Sequence, residues 1–217
     1  DVGCGTGAFT GLILAQAVPQ KIVGVDPSPP QVEHAKRTVM APQAEFHTGT
    51  AIDLPFGTGE FDAVVSALVI HFIEDRPKAF REMLRVARPG GIVGGYTWRK
   101  SPTIIDAPYG ALVRAVKEIA GDVMQSPIVP EAMPDGMRAA LTAAGYENIE
   151  VTTIEASQTF RDFEDYWTSQ TATFPHPVAR SVAALSVQDR ERVRDSVGTA
   201  LPAAADGSIT YSSRVTA

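Results

Sequence analysis

Behind a glycine-rich opening, apolar positions along the first hundred residues switch repeatedly between the helical and the extended period. Phe9, Leu12 and Ile13, followed by Gln16, fall at helical spacing in a stretch that ends at Pro19. Ile22-Val23-Gly24-Val25 reads as a short buried strand, closed by Asp26-Pro27-Ser28-Pro29. A helix is expected from about Pro30 to Met40, with proline in its first turn, where a missing N–H costs nothing. Glu45-Phe46-His47-Thr48 is a third extended segment. Phe61 to Ser66 is a stronger one, apolar or β-branched on both faces as a central parallel strand should be. Asp75 stands as N-cap before Pro77, and Phe80, Met83, Leu84 and Ala87 then recur at i, i+3, i+4 and i+7. Pro89-Gly90-Gly91 stops that helix, and Ile92 to Trp98 is the next strand.

Strands alternating with helices over short connections predict a doubly wound α/β sheet. Past Trp98 the rhythm loosens. Residues 103–120 read as helix, Ser126 to Pro130 as loop, and Met137 to Ala144 as a helix that Gly145 ends. Asn148 to Thr159 alternates like a strand, and residues 162–200 hold helical pieces, one opened by the capping sequence Ser186-Val187-Gln188-Asp189. Ser208 to Thr216 is a closing strand. With no repeat, low-complexity tract or linker, the economical organisation is one domain with a helical insertion near its end.

Composition narrows the function classes. The 217 residues are 44% apolar and 20% charged, which argues against disorder and coiled coil and suits one domain with a full core. Nineteen basic against 25 acidic side chains give a net charge of −6, and no basic block marks a nucleic-acid partner. A single cysteine excludes a disulfide framework, a cysteine-rich zinc site and a cysteine-ligated iron–sulfur cluster, and is compatible with a reducing cytoplasm. No apolar run approaches membrane-spanning length, and the opening residues carry no signal-peptide pattern.

The densest chemistry lies in Asp1-Val2-Gly3-Cys4-Gly5-Thr6-Gly7. Glycines at 3, 5 and 7 let the backbone turn sharply and come close to a ligand, and the helix that follows presents its positive pole there. A tight strand-to-helix turn without a ligand is the plain alternative. The spacing G-x-G-x-G departs from the dinucleotide fingerprint G-x-G-x-x-G, and no P-loop lysine follows, so a nucleoside triphosphate is disfavoured. Asp26 stands about 20 positions on, where a carboxylate at a strand end accepts from ribose hydroxyls; a turn-forming aspartate before Pro27 is its alternative. Two carboxylates about a glycine turn suit a ligand with an ammonium, a ribose and a base better than a pyrophosphate.

DVGCGTG, VGVDPSP, GTAIDLPFGTGEFDAVVSALVIHF and REMLRVARPGGIVGGYTW together resemble the class I S-adenosylmethionine-dependent methyltransferases of the small-molecule "type 11" kind, over Asp1 to Trp98. The resemblance implies a Rossmann-like sheet of order 3-2-1-4-5-7-6 with its last strand, the seventh, antiparallel. It divides the single domain into a cofactor half, 1–98, and a variable acceptor half, 99–217, with a lid at about 162–200. It implies that Asp1 receives the methionyl ammonium, that Gly3, Cys4 and Gly5 pass the methionyl and ribose portions by backbone, and that Asp26 holds the ribose hydroxyls. Pro27 and Ser28 then lie beside the adenine. Thr50-Ala51 falls where the family usually has Asp-Ala or Asn-Ala at the adenine edge, a departure that leaves Ala51 N–H for the ring and Asp53 as a compensating group. Ser66 ends a strand at the ligand-bearing edge.

Methyl transfer from a sulfonium needs positioning and desolvation, with a base only for a protonated acceptor. Of His34, His47, His71 and His176, His71 is best placed for that role; a hydrogen-bonded structural histidine is the alternative. Cys4 has no paired base, which speaks against a nucleophile. Tyr96, Trp98, Tyr109, Phe163, Tyr166, Trp167 and Phe174 are candidates for an acceptor pocket, with Tyr166 and Trp167 leaning toward core. The acceptor is expected to be a small organic molecule. The competing readings are an NAD(P)-dependent oxidoreductase and a non-catalytic S-adenosylmethionine-binding module.

Only Asp1-Val2 stands where that sheet has its central first strand. A gap there would leave buried backbone groups unpaired at on the order of 1–3 kcal/mol each. The expectation is therefore a fragment of a longer protein that begins inside the first motif.

Overall fold

Ile22–Asp26 is buried at all five positions, as a parallel strand flanked on both faces must be. The computed structural model describes residues 1–100, 109–121, 128–173, 177–201 and 203–217. Residues 103–108 of the expected helix, Ser126-Pro127 of the expected loop, Phe174 and His176 lie outside the described residues. In chain order the elements begin with α1 (Ala8–Ala17), β1 (Ile22–Asp26), α2 (Pro29–Thr38), β2 (Ala44–Thr48) and β3 (Phe61–Ala67). They continue with α3 (Arg76–Val86), β4 (Ala87–Trp98), α4 (Gly110–Ala120), α5 (Pro134–Ala143) and β5 (Thr153–Phe160). Helices α6 (Phe163–Thr168), α7 (Pro177–Ala183) and α8 (Val187–Ala200) precede β6 (Ile209–Thr216). A 3₁₀ turn spans Ile70–Phe72.

The chain divides into two compact units, one of residues 1–97, 130–152 and 216–217, the other of 98–129 and 153–215. In the first, β1 pairs parallel with β2 from Ile22↔Ala44 to Asp26↔Thr48, and β3 pairs parallel with β4. Asp1-Val2 joins the two pairs. The Asp1 nitrogen donates to Val23 O (2.8 Å), Val25 N to Asp1 O (3.0 Å), and Gly3 N to Val25 O (2.7 Å), a short parallel ladder. On the other side Val2 N donates to Val65 O (2.7 Å). The strand order within this unit is thus β2, β1, Asp1-Val2, β3, β4, as the doubly wound reading requires. Val2, Val25, Leu54, Val64, Met83 and Val86 close the core beneath it. Asp75 caps α3 by accepting from Lys78 N (3.0 Å).

In the second unit, α4, α6 and α8 enclose Leu112, Val116, Tyr166, Trp167, Val193 and Val197. Tyr166 is fully buried and Trp167 nearly so, which makes both core anchors. Ser186 caps α8 through Asp189 N (3.0 Å), as its sequence predicts. Hydroxyl pairs Ser157–Ser212 (2.9 Å) and Thr159–Thr210 (3.0 Å) set β5 and β6 antiparallel.

The first expected helix is α1, in which Phe9 and Ile13 are half-buried and Leu12 is exposed. Three expectations are corrected. In β3, Asp62 and Ala63 are exposed, because the neighbouring ladder starts only at Val65. Strand β4 starts at Ala87, not Ile92. Arg88-Pro89-Gly90-Gly91 forms a register irregularity between Phe61 and Ala63 rather than a turn, with Gly90 at φ 74° and Arg88 Nε on Asp62 (2.6 Å). Strand β5 starts at Thr153, five residues after Asn148, whose φ of 53° turns the chain first. No helix of the described residues is long and apolar enough to cross a membrane, and they hold no metal-binding cluster.

Candidate functional site

The carboxyl ends of β1 and β3, the glycine turn and the start of α1 meet in the first unit. Gly3, Gly5 and Gly7 all have positive φ (75°, 54° and 85°), a region that side chains with a Cβ disfavour. Space forbids a Cβ as well: at Gly3 it would lie 2.4 Å from a Val69 methyl, and at Gly7 2.8 Å from a Val39 methyl. The turn therefore needs glycine both to bend and to pack.

Its amides are already engaged. Gly3 N and Cys4 N both donate to Val25 O (2.7 and 3.0 Å), and Gly5 N donates to Asp26 Oδ2 (2.9 Å). The N–H groups of Gly3, Cys4 and Gly5 are thus satisfied within the chain. Asp26 is buried at the end of β1, with Oδ2 on Gly5 N and Oδ1 on Ser28 N (2.9 Å). Each oxygen keeps a second lone pair, so the carboxylate is fixed in direction yet still able to accept. Pro27 is exposed and Ser28 half-buried beside it, at the entry to α2.

Asp1 is the second carboxylate. Thr10, fully buried on α1, donates to its Oδ2 (2.6 Å), while Oδ1 is buried without a partner among the described residues. A buried carboxylate oxygen left without a donor is costly unless a cation or donor completes it. Thr10 was missed by sequence reasoning; a lone hydroxyl within an apolar helix was the available signal.

Thr50 and Ala51 follow β2 in a turn closed by Asp53 N on Thr50 O (3.2 Å); Gly49 N donates to Asp26 O (3.1 Å), which ties this turn to the Asp26 end of β1. Thr50 and Asp53 are exposed and Ala51 half-buried. Ser66 is buried, and its hydroxyl donates to Val2 O (2.9 Å), standing in for a ladder amide. It ties strands together and keeps its acceptor lone pairs. Beyond it, Leu68 adopts φ 59° and its N–H donates to Tyr96 O (2.7 Å), a contortion that sets Val69 against Gly3. No sequence pattern announced Leu68 or Val69. Phe9 meets Tyr96 edge-on at 5.7 Å.

His71, in the 3₁₀ turn, is buried with Nδ1 3.2 Å from Thr97 Oγ1 on β4. His34 lies on α2 and His47 in β2, as their sequence positions predict. Cys4 is buried against Val32, Ala35 and Phe46. Burial, and then the Asp26 charge, push its thiol up to about 11. Its thiolate is scarce at neutral pH, as the absence of a paired base suggested. Iodoacetamide at pH 7.5 is expected to label Cys4 about a hundredfold more slowly in the native chain than in denaturant; equal rates would contradict this packing.

Residues 1–94 match the family model described as a methyltransferase domain. A demethylmenaquinone methyltransferase of Roseiflexus castenholzii is 40% identical over 94 residues, 43% of this chain and 39% of that one. An ajmaline N-methyltransferase of Rauvolfia serpentina is 38% identical over 97 residues, 43% of this chain and 33% of that one. The chain thus matches well under half the length of these relatives. Among solved structures, the YcgJ protein of Bacillus subtilis superposes with a TM-score of 0.58 at 20% identity, covering 100% of this chain and 87% of that one. The [4+2]-cyclase SpnF superposes at 0.54 and 18% identity, covering 99% and 73%. These likenesses show an α/β Rossmann-like fold.

Proposed function

We propose, for a chain whose residues 1–94 match the model of a methyltransferase domain, that it binds S-adenosylmethionine and transfers a methyl group to a small organic acceptor. The observation that carries this reading is the buried Oδ1 of Asp1, without a partner among the described residues, beside the glycine turn and the fixed Asp26 carboxylate. A cationic amine at one end and a ribose diol at the other satisfy both groups. Fold alone decides nothing here, since a chain of the same fold is named as a cyclase.

In this reading Asp1, held by Thr10, receives the methionyl ammonium. Asp26 accepts from the ribose hydroxyls, and Gly3 and Gly5 leave space for the ligand to pass. Thr50 and Ala51 meet the adenine edge. When bound, S-adenosylmethionine supplies a methyl group on a sulfonium already activated for in-line displacement. The protein's part is to align and desolvate the acceptor. His71, its ring oriented by Thr97, takes the acceptor's proton where the acceptor arrives protonated.

A screen of small phenols, amines and hydroxy acids with labelled-methyl S-adenosylmethionine tests the transfer. Labelled product supports it; saturable binding with no product from any acceptor favours a non-catalytic binding module. Once an acceptor is in hand, His71→Ala is expected to lower turnover about 10²–10⁴-fold with cofactor affinity unchanged. Unchanged turnover would remove His71 from the mechanism.

A further inference from the structure

We propose that Glu82 and Arg85 on α3 are positioning residues that hold the adenine-side turn in register; this rests on the reading above, in which Thr50 and Ala51 meet the adenine. Three residues apart on a helix, the two side chains share a face and meet. Arg85 Nε lies 2.7 Å from Glu82 Oε1, and Nη2 lies 2.7 Å from Oε2, a bidentate pair. The pair then grips the loop after the turn. Glu82 Oε2 accepts from Leu54 N (2.9 Å), while Arg85 Nη2 donates to Leu54 O (3.1 Å) and Nη1 to Phe56 O (2.8 Å). Both backbone groups of Leu54 are therefore bound by a single ion pair. Arg85 O also accepts from Gly59 N (2.9 Å), so one helical turn holds the loop at three residues.

The Arg85 and Glu82 side chains are 32% and 17% exposed, in a setting where such a pair counts for more than on an open surface. Arg85 holds the Glu82 carboxyl below the usual carboxylate range, so the pair stays charged at neutral pH. The turn that it serves has little structure of its own. Thr50 and Asp53 are joined by one long hydrogen bond of 3.2 Å, and both are exposed. Its place is set from its flanks: by Gly49 N on Asp26 O at one end, and at the other by Leu54, which the clamp holds and the core buries. Releasing Leu54 frees the end of the turn farther from Asp26. The guanidinium makes four contacts from three nitrogens spread over a planar fork, and a lysine ammonium, with three donors on one atom, cannot reproduce them.

The test compares wild type, Arg85→Lys and the milder Glu82→Gln, reading S-adenosylhomocysteine and adenosine binding by calorimetry and amide exchange at residues 50–59. Arg85→Lys is expected to weaken both ligands by the same factor, about tenfold, with Glu82→Gln in between. Exchange at Leu54 should rise in both variants. Faster exchange with both affinities unchanged reduces the clamp to a purely structural role and overturns the proposal. A loss for S-adenosylhomocysteine without a matching loss for adenosine also overturns it, because the effect then lies away from the adenine. Wild-type protein that binds neither ligand overturns the cofactor reading itself, and this proposal with it.

Discussion

Asp26→Ala is expected to weaken S-adenosylhomocysteine binding by at least about a hundredfold, the effect of two hydrogen bonds to a charged acceptor at roughly 1.5–3 kcal/mol each. The carboxylate is buried and aimed by Gly5 N and Ser28 N. Removing it also strips those two amides of their acceptor, and part of the loss will show as lower stability. Asp26→Asn separates the effects. The amide keeps one acceptor oxygen but turns an NH₂ toward either Gly5 or Ser28, so binding should still fall steeply while the melting temperature falls less than in the alanine variant. Calorimetric titration of both variants decides it. Affinity within twofold of wild type in either would remove Asp26 from the site.

Gly3→Ala should show the second large effect, on folding rather than on binding chemistry. The residue sits at φ 75°, where a Cβ costs about 1–2 kcal/mol, and that Cβ would press 2.4 and 2.6 Å from the two Val69 methyls. Forcing carbon into such a place costs roughly 1–3 kcal/mol more. The sum is a large part of a typical net stability of about 5–15 kcal/mol. Val69→Ala in the same chain removes the methyl clash but not the backbone strain, so the double variant should recover about half of the loss. Urea unfolding of the two single variants and the double gives the coupling directly. Full recovery would mean that the backbone conformation is free; no loss in Gly3→Ala would mean that the turn is not built as described.

What the sequence made legible was whatever a period or a spacing can carry. Strand β1, helix α3 with its Asp75 cap, the Gly145 stop after α5 and the Ser186 start of α8 each follow from local rules, and each lies where those rules put it. The glycine turn and Asp26 were legible because close packing and a strand-end carboxylate need particular residue types at a fixed separation. Other features were not, for definite reasons. The bond from the Ser66 hydroxyl to Val2 O joins residues 64 apart, which no local pattern shows. The amides of Gly3, Cys4 and Gly5 are engaged by Val25 O and Asp26, partners more than 20 residues away that only the folded chain brings near. Leu68 is left-handed although leucine has no preference for it, because Tyr96 O and the packing against Gly3 require it. Pro89-Gly90-Gly91 carries every mark of a stop, yet the chain stays extended through it as part of β4, since a bulge and a turn use the same residues.

The proposed site suits an adenosine that carries a free amino acid through sulfur rather than a dinucleotide. Parallel titrations of the chain with S-adenosylhomocysteine and with NADH test it most directly. The expected result is saturable one-to-one binding of S-adenosylhomocysteine and none of NADH. Saturable binding of NADH with none of S-adenosylhomocysteine would contradict it.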